Sequence, residues 1–570
     1  MRYAYYFIRK FVLFSNPNGK GQILLPIITD SMGFQLDTLT ISELEQTSRG
    51  KQILPPLLKD YLSGDPSLKE YYQYKPDIKS FSLAIDNKSK ETIDRTGLTE
   101  VLQKQYTDLE NAPSNISLLR ESNTFTVTTG HQLCLFTGPL YFCYKILTVI
   151  NLAEELKQEY PDHNFVPIFW MASEDHDFEE INHFHLFGNK VTWKAEAGNA
   201  VGRLKVDGIT DVVAALKEQF QSKRSAIEVL SVFERAYVNQ DNLANATRAL
   251  LHGLFGHYGL VVIDADDHIL KNSFRKVMKA EVEGQRSMHA MARTYEALSK
   301  SYKLPVKSRD INLFYLHDEK RSRLEIGDGD KVSIVGTDTL IEKNKCTGMI
   351  EYHPDNFSPN VVLRPLYQEL LLPNLAYIGG PSEIAYWLEL KGVFDEYQVN
   401  FPLLLPRNSL LILGKSEEKR MRQFSLSPSD LFNNPDALVK SIISKRSRED
   451  LSINRERDEI VAVYDKLVSK ARMIDASLEK AIKADEARTL GQLNNLEKKL
   501  SKAAKNNNLA LVNQVEKLLK SIFPEGVFQE RYESLFSQMV RFDFDIIDEM
   551  KGCIDPFDNS LKILSEAANS

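Results

Sequence analysis

The sequence predicts an α/β core built on parallel strands, joined to an α-helical antiparallel coiled-coil domain. Three observations carry this expectation. Before about residue 410, short apolar runs bounded by turn residues alternate with segments apolar at helical spacing, the pattern of strands buried between helices. Beyond it the chain becomes rich in Lys, Glu, Arg, Leu and Ala, with no Pro between Pro435 and Pro524. Within that stretch Ile460, Tyr464, Leu467, Ala471, Ile474, Leu478 and Ala481 follow alternating steps of four and three, the seam of a coiled coil.

In chain order, residues 1–31 read as an N-terminal extension outside the fold, with Met32 as an alternative start of translation. The core then occupies 32–408, with inserted segments at about 190–260 and 270–355. Thr124–Thr128 is its first clear strand, and Leu140–Leu156 is a helix apolar through Tyr144, Leu147, Ile150, Ala153 and Leu156. Phe165–Ala172 supplies the next parallel strand of this βα unit, and Leu260–Asp264 and Leu403–Leu405 add further buried strands. The helical domain spans 409–545. Asp485 interrupts its seam, which resumes through Thr489, Leu493, Leu496 and Leu500, and Lys505–Asn508 is the expected turn into a second helix from Leu511. Residues 546–570 are expected to return to the core. Large seam side chains left in water would cost roughly 1.5–3 kcal/mol each, so a second copy is expected to cover them in a homodimer.

Composition narrows the function classes. With 43% hydrophobic residues in 570, the chain can bury a large core, and 71 Lys+Arg against 78 Asp+Glu leave a net charge of −7. A general nucleic-acid binder would carry the opposite balance. Cys134, Cys143, Cys346 and Cys553 form no C-x-x-C pair and too sparse a set for a disulfide framework, the usage of a cytoplasmic protein. Spanning a bilayer takes about 20 apolar residues in a row; Met1–Phe14 is interrupted by Arg2, Arg9 and Lys10, and no membrane role is expected.

Three segments hold residues capable of chemistry. Thr128-Thr129-Gly130-His131-Gln132, followed by Gly138, lies between strand and helix, where glycines let backbone N–H groups approach an anion; a structural turn is the alternative. Glu174, Asp175, His176 and Asp177 close the next strand, at the carboxyl end where open parallel sheets bind ligands. They could hold an ammonium or a divalent metal, act as acid and base, or simply cap a helix. The third segment joins Asn360, Arg364 and Gln368 to Gly379, Gly380 and Glu383. Arginine among apolar residues is rare unless paired with carboxylate or phosphate, with Glu369 and Glu383 the structural partners to consider. No HExxH or cysteine pair supports zinc, so no metal is assigned.

At these residues the chain resembles a known family. TGHQLCLFTGPLYFCYK, PIFWMASEDHDFEEINH, SPNVVLRPLYQELLLPNLAYIGGPSEIAYW and PLLLPRNS are similar, in order, to the bacillithiol biosynthesis cysteine-adding enzymes, BshC. The resemblance runs from about Met32 to the C-terminus. It implies a Rossmann-like core related to class I aminoacyl-tRNA synthetases, with connecting insertions and a dimerising coiled coil. The implied reaction joins L-cysteine to the amine of glucosaminyl-malate in the last step of bacillithiol synthesis, with ATP or ADP at the site. On that basis Thr129, Gly130, His131, Gln132 and Gly138 would form an anion-binding floor, and Glu174, Asp175, His176 and Asp177 would hold or deprotonate the amine. Asn360, Arg364 and Gln368 would grip the malate carboxylates, and Gly379, Gly380 and Glu383 the nucleotide ribose. His131 departs from the Gln-Gln form of the family's loop, and neither HIGH nor KMSKS is present. Two other expectations stand beside this one: a degenerate nucleotide-binding scaffold, and a metal-dependent hydrolase built on residues 174–177.

Overall fold

The core sheet consists of five parallel strands: β1 (Thr124–His131), β2 (Asn164–Met171), β3 (Val261–Asp264), β4 (Asn374–Gly379) and β5 (Leu403–Pro406). Their spatial order is β5-β4-β1-β2-β3. In this computed structural model residues 33–567 are described, apart from 197–198, 318–319 and 448–452; the proposed extension at 1–31 and the last three residues of the segment 546–570 lie outside them. The strands are almost wholly buried along their length. That is what a parallel sheet covered by helices on both faces requires, and runs such as FVPIFWM provide it. This is the Rossmann-like α/β core.

Helix α1 (Leu140–Glu159) crosses from β1 to β2. Pro139 precedes it, and its first four turns are buried on nearly every side, including Lys145, which is fully buried. Helix α2 (Arg364–Leu371) leads into β4, and α3 (Pro381–Glu389) leaves it. Because β2 and β3 extend the sheet to one side of β1 and β4 and β5 to the other, the winding reverses between β1 and β4. A crevice opens outside the carboxyl ends of those two strands.

The loop from β1 to α1 is held in an uncommon conformation: Phe136, Thr137 and Gly138 have φ of 50°, 68° and 55°. A non-glycine residue keeps positive φ only where its surroundings over-determine it. Phe136 supplies that: its ring stacks on Phe184 at 4.7 Å and Phe233 at 4.9 Å, and its N–H donates to Tyr237 Oη at 3.0 Å.

Between β2 and β3 the chain inserts three helices, Ile209–Phe220, Arg224–Val238 and Leu243–Phe255. Between β3 and β4 it inserts a five-stranded antiparallel sheet that includes Leu313–His317, Lys320–Ile326 and Phe357–Pro359. Leu561–Glu566 pairs with both Leu410–Leu413 and Phe34–Leu39, so a second small sheet joins the two ends of the described chain.

The helical domain contains α4 (Asn454–Ile474), α5 (Leu478–Asn507) and α6 (Leu509–Ile522). Here the structure corrects the sequence expectation. The reversal falls at Asp475–Ser477, not at Lys505–Asn508. Asp475 leaves the helix with φ −157° and ψ 113°, and its Oδ1 accepts from Ser477 N at 2.8 Å. Tyr464 Oη then meets Thr489 Oγ1 at 2.8 Å across the hairpin, and Arg472 and Glu479 pair bidentately at 2.8 Å beside the turn. Residues 505–507 stay helical, and only Asn508 interrupts α5 and α6. Apolar steps of four and three run straight through Ile474 and Leu478 because periodicity carries no sense of direction.

Candidate active site at the switch point

A cavity of about 700 Å³ occupies the crevice. Its floor is set by an ion pair between buried Lys145 and half-buried Glu383. Lys145 projects from α1 and donates to both Glu383 oxygens, at 2.9 and 2.8 Å, and to Gly130 O at 2.5 Å. Tyr377 Oη donates to Glu383 Oε1 and Gly380 N to Oε2, each at 2.7 Å. Burial alone would raise the Glu383 carboxyl, but Lys145 and the Gly380 N–H hold it at about 2. Three chain segments, β1, α1 and the start of α3, are thereby locked together at the switch point.

His131 ends β1 with Nε2 3.2 Å from Tyr141 Oη. Burial, reinforced by Lys145, lowers its imidazole to about 4, so it is neutral at physiological pH. One wall is acidic. Gln132 Nε2 donates to Asp175 Oδ2 at 2.8 Å, and Glu174 pairs with Lys271 at 2.8 Å. Burial raises the Glu174 carboxyl, opposed by Lys271. Arg321, from the inserted sheet, donates to Ser358 Oγ at 2.9 Å and lies 3.8 Å from Asp175. It also donates to His176 Nδ1 at 3.0 Å; a guanidinium only donates, so that nitrogen is the unprotonated one.

The opposite character comes from Arg364. Its Nη1 donates to Gln368 Oε1 at 3.0 Å, its Nη2 is buried without a hydrogen-bond partner, and the guanidinium lies 5.6–6.0 Å from the rings of Trp170, Tyr377 and Trp387. Neither structural partner considered for it is used: Glu369 pairs with Lys88 at 3.6 Å and Glu383 with Lys145.

Ten of the fifteen sequence candidates line the cavity: Gly130, His131, Gln132, Glu174, Asp175, His176, Asn360, Arg364, Gly380 and Glu383. Five do not. Thr129 is buried and stitches β1 to β4 through Ile378 O at 2.8 Å. Gly138 sits in the left-handed turn, where a Cβ would come within 2.5 Å of Cys134. Asp177 caps the short helix Phe178–Ile181 through Glu180 N at 3.3 Å, so helix capping accounts for it. Gln368 is buried behind Arg364 and orients it. Gly379 is buried, packed against Glu383 and Tyr377. Each Glu383 oxygen already accepts two hydrogen bonds, which leaves it little capacity for a ribose hydroxyl. Cavity residues outside the sequence candidates include Tyr141, Arg321, Arg407 and Arg531. Lys145, not itself part of the lining, acts from beneath through Glu383. Its signal is the single charge in the stretch Leu140–Ala153, the buried part of α1; Arg321 and Arg531 have none, being remote in sequence.

Among the described residues no three His, Cys, Asp or Glu side chains gather as a metal site needs, and no helix is long and apolar enough to cross a membrane.

A parallel sheet with its winding reversal at β1 and β4, and a charged cavity at that point, defines a Rossmann-like α/β protein with a candidate ligand site at the switch. The chain belongs to the bacillithiol biosynthesis BshC family: that family's N-terminal Rossmann-like domain matches residues 40–408 and its C-terminal coiled-coil domain residues 410–566. It is 43% identical over 487 residues to a Flavobacterium johnsoniae protein, covering 85% of this chain and 92% of the relative. It is also 38% identical over 527 residues to one from Cytophaga hutchinsonii, covering 92% and 97%. Both relatives bear the name "Putative cysteine ligase BshC".

Proposed function

We propose that this chain is a ligase that joins the carboxyl of L-cysteine to the amine of glucosaminyl-malate, at the expense of ATP, in the last step of bacillithiol synthesis. The observation that supports this most is the division of one cavity between the acidic wall of Glu174 and Asp175 and the unpaired Nη2 of Arg364. A substrate bearing both an ammonium and carboxylates matches that division. A guanidinium N–H held ready by Gln368 suits a malate carboxylate, which takes charge-assisted hydrogen bonds in a fixed plane. The amine must lose a proton before it attacks, and the Glu174 and Asp175 carboxylates, steadied by Lys271, Arg321 and Gln132, are the acceptors at hand. A free carboxylate is a poor electrophile, so the cysteine carboxyl needs activation, which ATP supplies as co-substrate.

The reading includes a cytoplasmic homodimer through the coiled coil. Met473 and Ile474, each 80% exposed at the hairpin tip, and Leu496 and Leu500 on α5 offer apolar surface for a second copy. Thiol profiling of a deletion strain tests the function: bacillithiol disappears and glucosaminyl-malate accumulates, and wild-type protein restores the thiol. An unchanged thiol profile in the deletion strain refutes it.

A further inference from the structure

Arg407 follows β5 and is 6% exposed, yet it lines the cavity. Glu530, from the C-terminal region, accepts from its Nη1 at 3.0 Å and its Nη2 at 2.6 Å. The third donor, Nε, is buried with no hydrogen-bond partner and faces the Gly380 backbone, 4.0 Å from where a Cβ on that glycine would sit. Leaving a buried N–H unpaired costs about 1–3 kcal/mol, and Glu530 has already fixed its direction.

The next residue in the chain, Arg531, is exposed at the same wall. Its guanidinium lies 5.9 Å from the Tyr141 ring, and that of Arg407 lies 5.2 Å from the same ring. Pro381 and Ser382 bring the opening turn of α3 to this end of the cavity, with its positive partial charge. The two carboxylates nearby are committed, Glu530 to Arg407 and Glu383 to Lys145. The uncompensated charge is therefore positive and is carried by Arg531, with Arg407 Nε and the turn of α3 as added donors, a set that suits the several oxygens of a phosphoryl group.

We infer that Arg531, with Arg407 Nε and the first turn of α3, forms the subsite for the nucleotide's phosphoryl groups. This rests on the nucleotide-dependent reading above. The segment carrying Glu530 and Arg531 thus completes the active site rather than only bracing it.

Calorimetric titration of the full-length protein with inorganic pyrophosphate, ATP and adenosine tests this. Arg531→Ala is expected to weaken pyrophosphate and ATP by about tenfold or more, Arg531→Lys by less, and neither to change adenosine binding. An unaltered thermal transition shows that the exposed substitution leaves the fold intact. Equal pyrophosphate affinity in wild type and Arg531→Ala, or none in the wild type, overturns the subsite. A wild-type protein that binds pyrophosphate through Arg531 but forms no amide supports the subsite and refutes the ligase reaction alone.

Discussion

Replacing Lys145 by Met keeps the length of the side chain and removes the cation from beneath the cavity. Glu383 is then left with Tyr377 Oη and Gly380 N as donors, and Gly130 O loses its partner. Removing one member of a buried pair typically costs about 3–5 kcal/mol. At about 2.1 cal/mol/K of unfolding entropy per residue, a domain of about 370 residues loses roughly 4–6 °C of Tm for that change. Scanning calorimetry at neutral pH reads it directly. The double variant Lys145→Met/Glu383→Gln removes both charges and is expected to recover most of the loss. The pH dependence gives a second readout. Glu383 sits at about 2 when folded, below the ordinary carboxyl range. A group depressed in this way contributes stability that is complete above its unfolded pKa and lost as pH falls through the folded one. A shift from about 4.3 to about 2 corresponds to roughly 3 kcal/mol, lost between about pH 4 and pH 2. Glu383→Gln should lack that component. A double variant as unstable as the sum of its single variants, or a Glu383→Gln protein with the wild-type acid profile, refutes the account of the pair.

Other perturbations separate site residues from scaffold. Arg364→Met should raise the KM for glucosaminyl-malate by about tenfold to a hundredfold with kcat little changed, as loss of one charge-assisted pair predicts; steady-state kinetics against acceptor concentration checks it. Asp175→Asn should lower kcat by about a hundredfold or more, whereas Asp177→Ala should cost only about 1 kcal/mol of local stability as a lost cap; single-turnover rates and calorimetry distinguish them. Phe136→Ala should destabilise by about 3–5 kcal/mol through the stacked rings around it, and by freeing the turn before α1 it should also reduce turnover in the protein that remains folded.

Much of the core is legible in the sequence because its strands are buried on both faces and read as continuous apolar runs. Thr124–Thr128 lies on β1 and Phe165–Ala172 covers β2 to one residue past its end, and the helical spacing from Leu140 marks α1. The candidate residues at the ends of β1, β2 and β4 are legible for the same reason, since a strand's carboxyl end points to the site. The five that miss the cavity do so because residue type does not separate roles: Asp177 caps and Asp175 lines, two positions apart. The ion-pair partners of the site are harder to read. Arg407 pairs with Glu530 across 123 residues, and Arg321 reaches Asp175 from an inserted sheet. The hairpin turn at Asp475–Ser477 is hidden by a seam that continues in step through the reversal.

The central claim is that this chain makes the cysteinyl amide. Purified protein incubated with L-cysteine, glucosaminyl-malate and ATP, followed by mass spectrometry, measures it most directly. The account predicts a product with the mass of the two substrates less water, formed in step with ATP consumption and slowed by Arg364→Met when glucosaminyl-malate is below saturation. Folded protein that binds both substrates yet yields no such amide would contradict it.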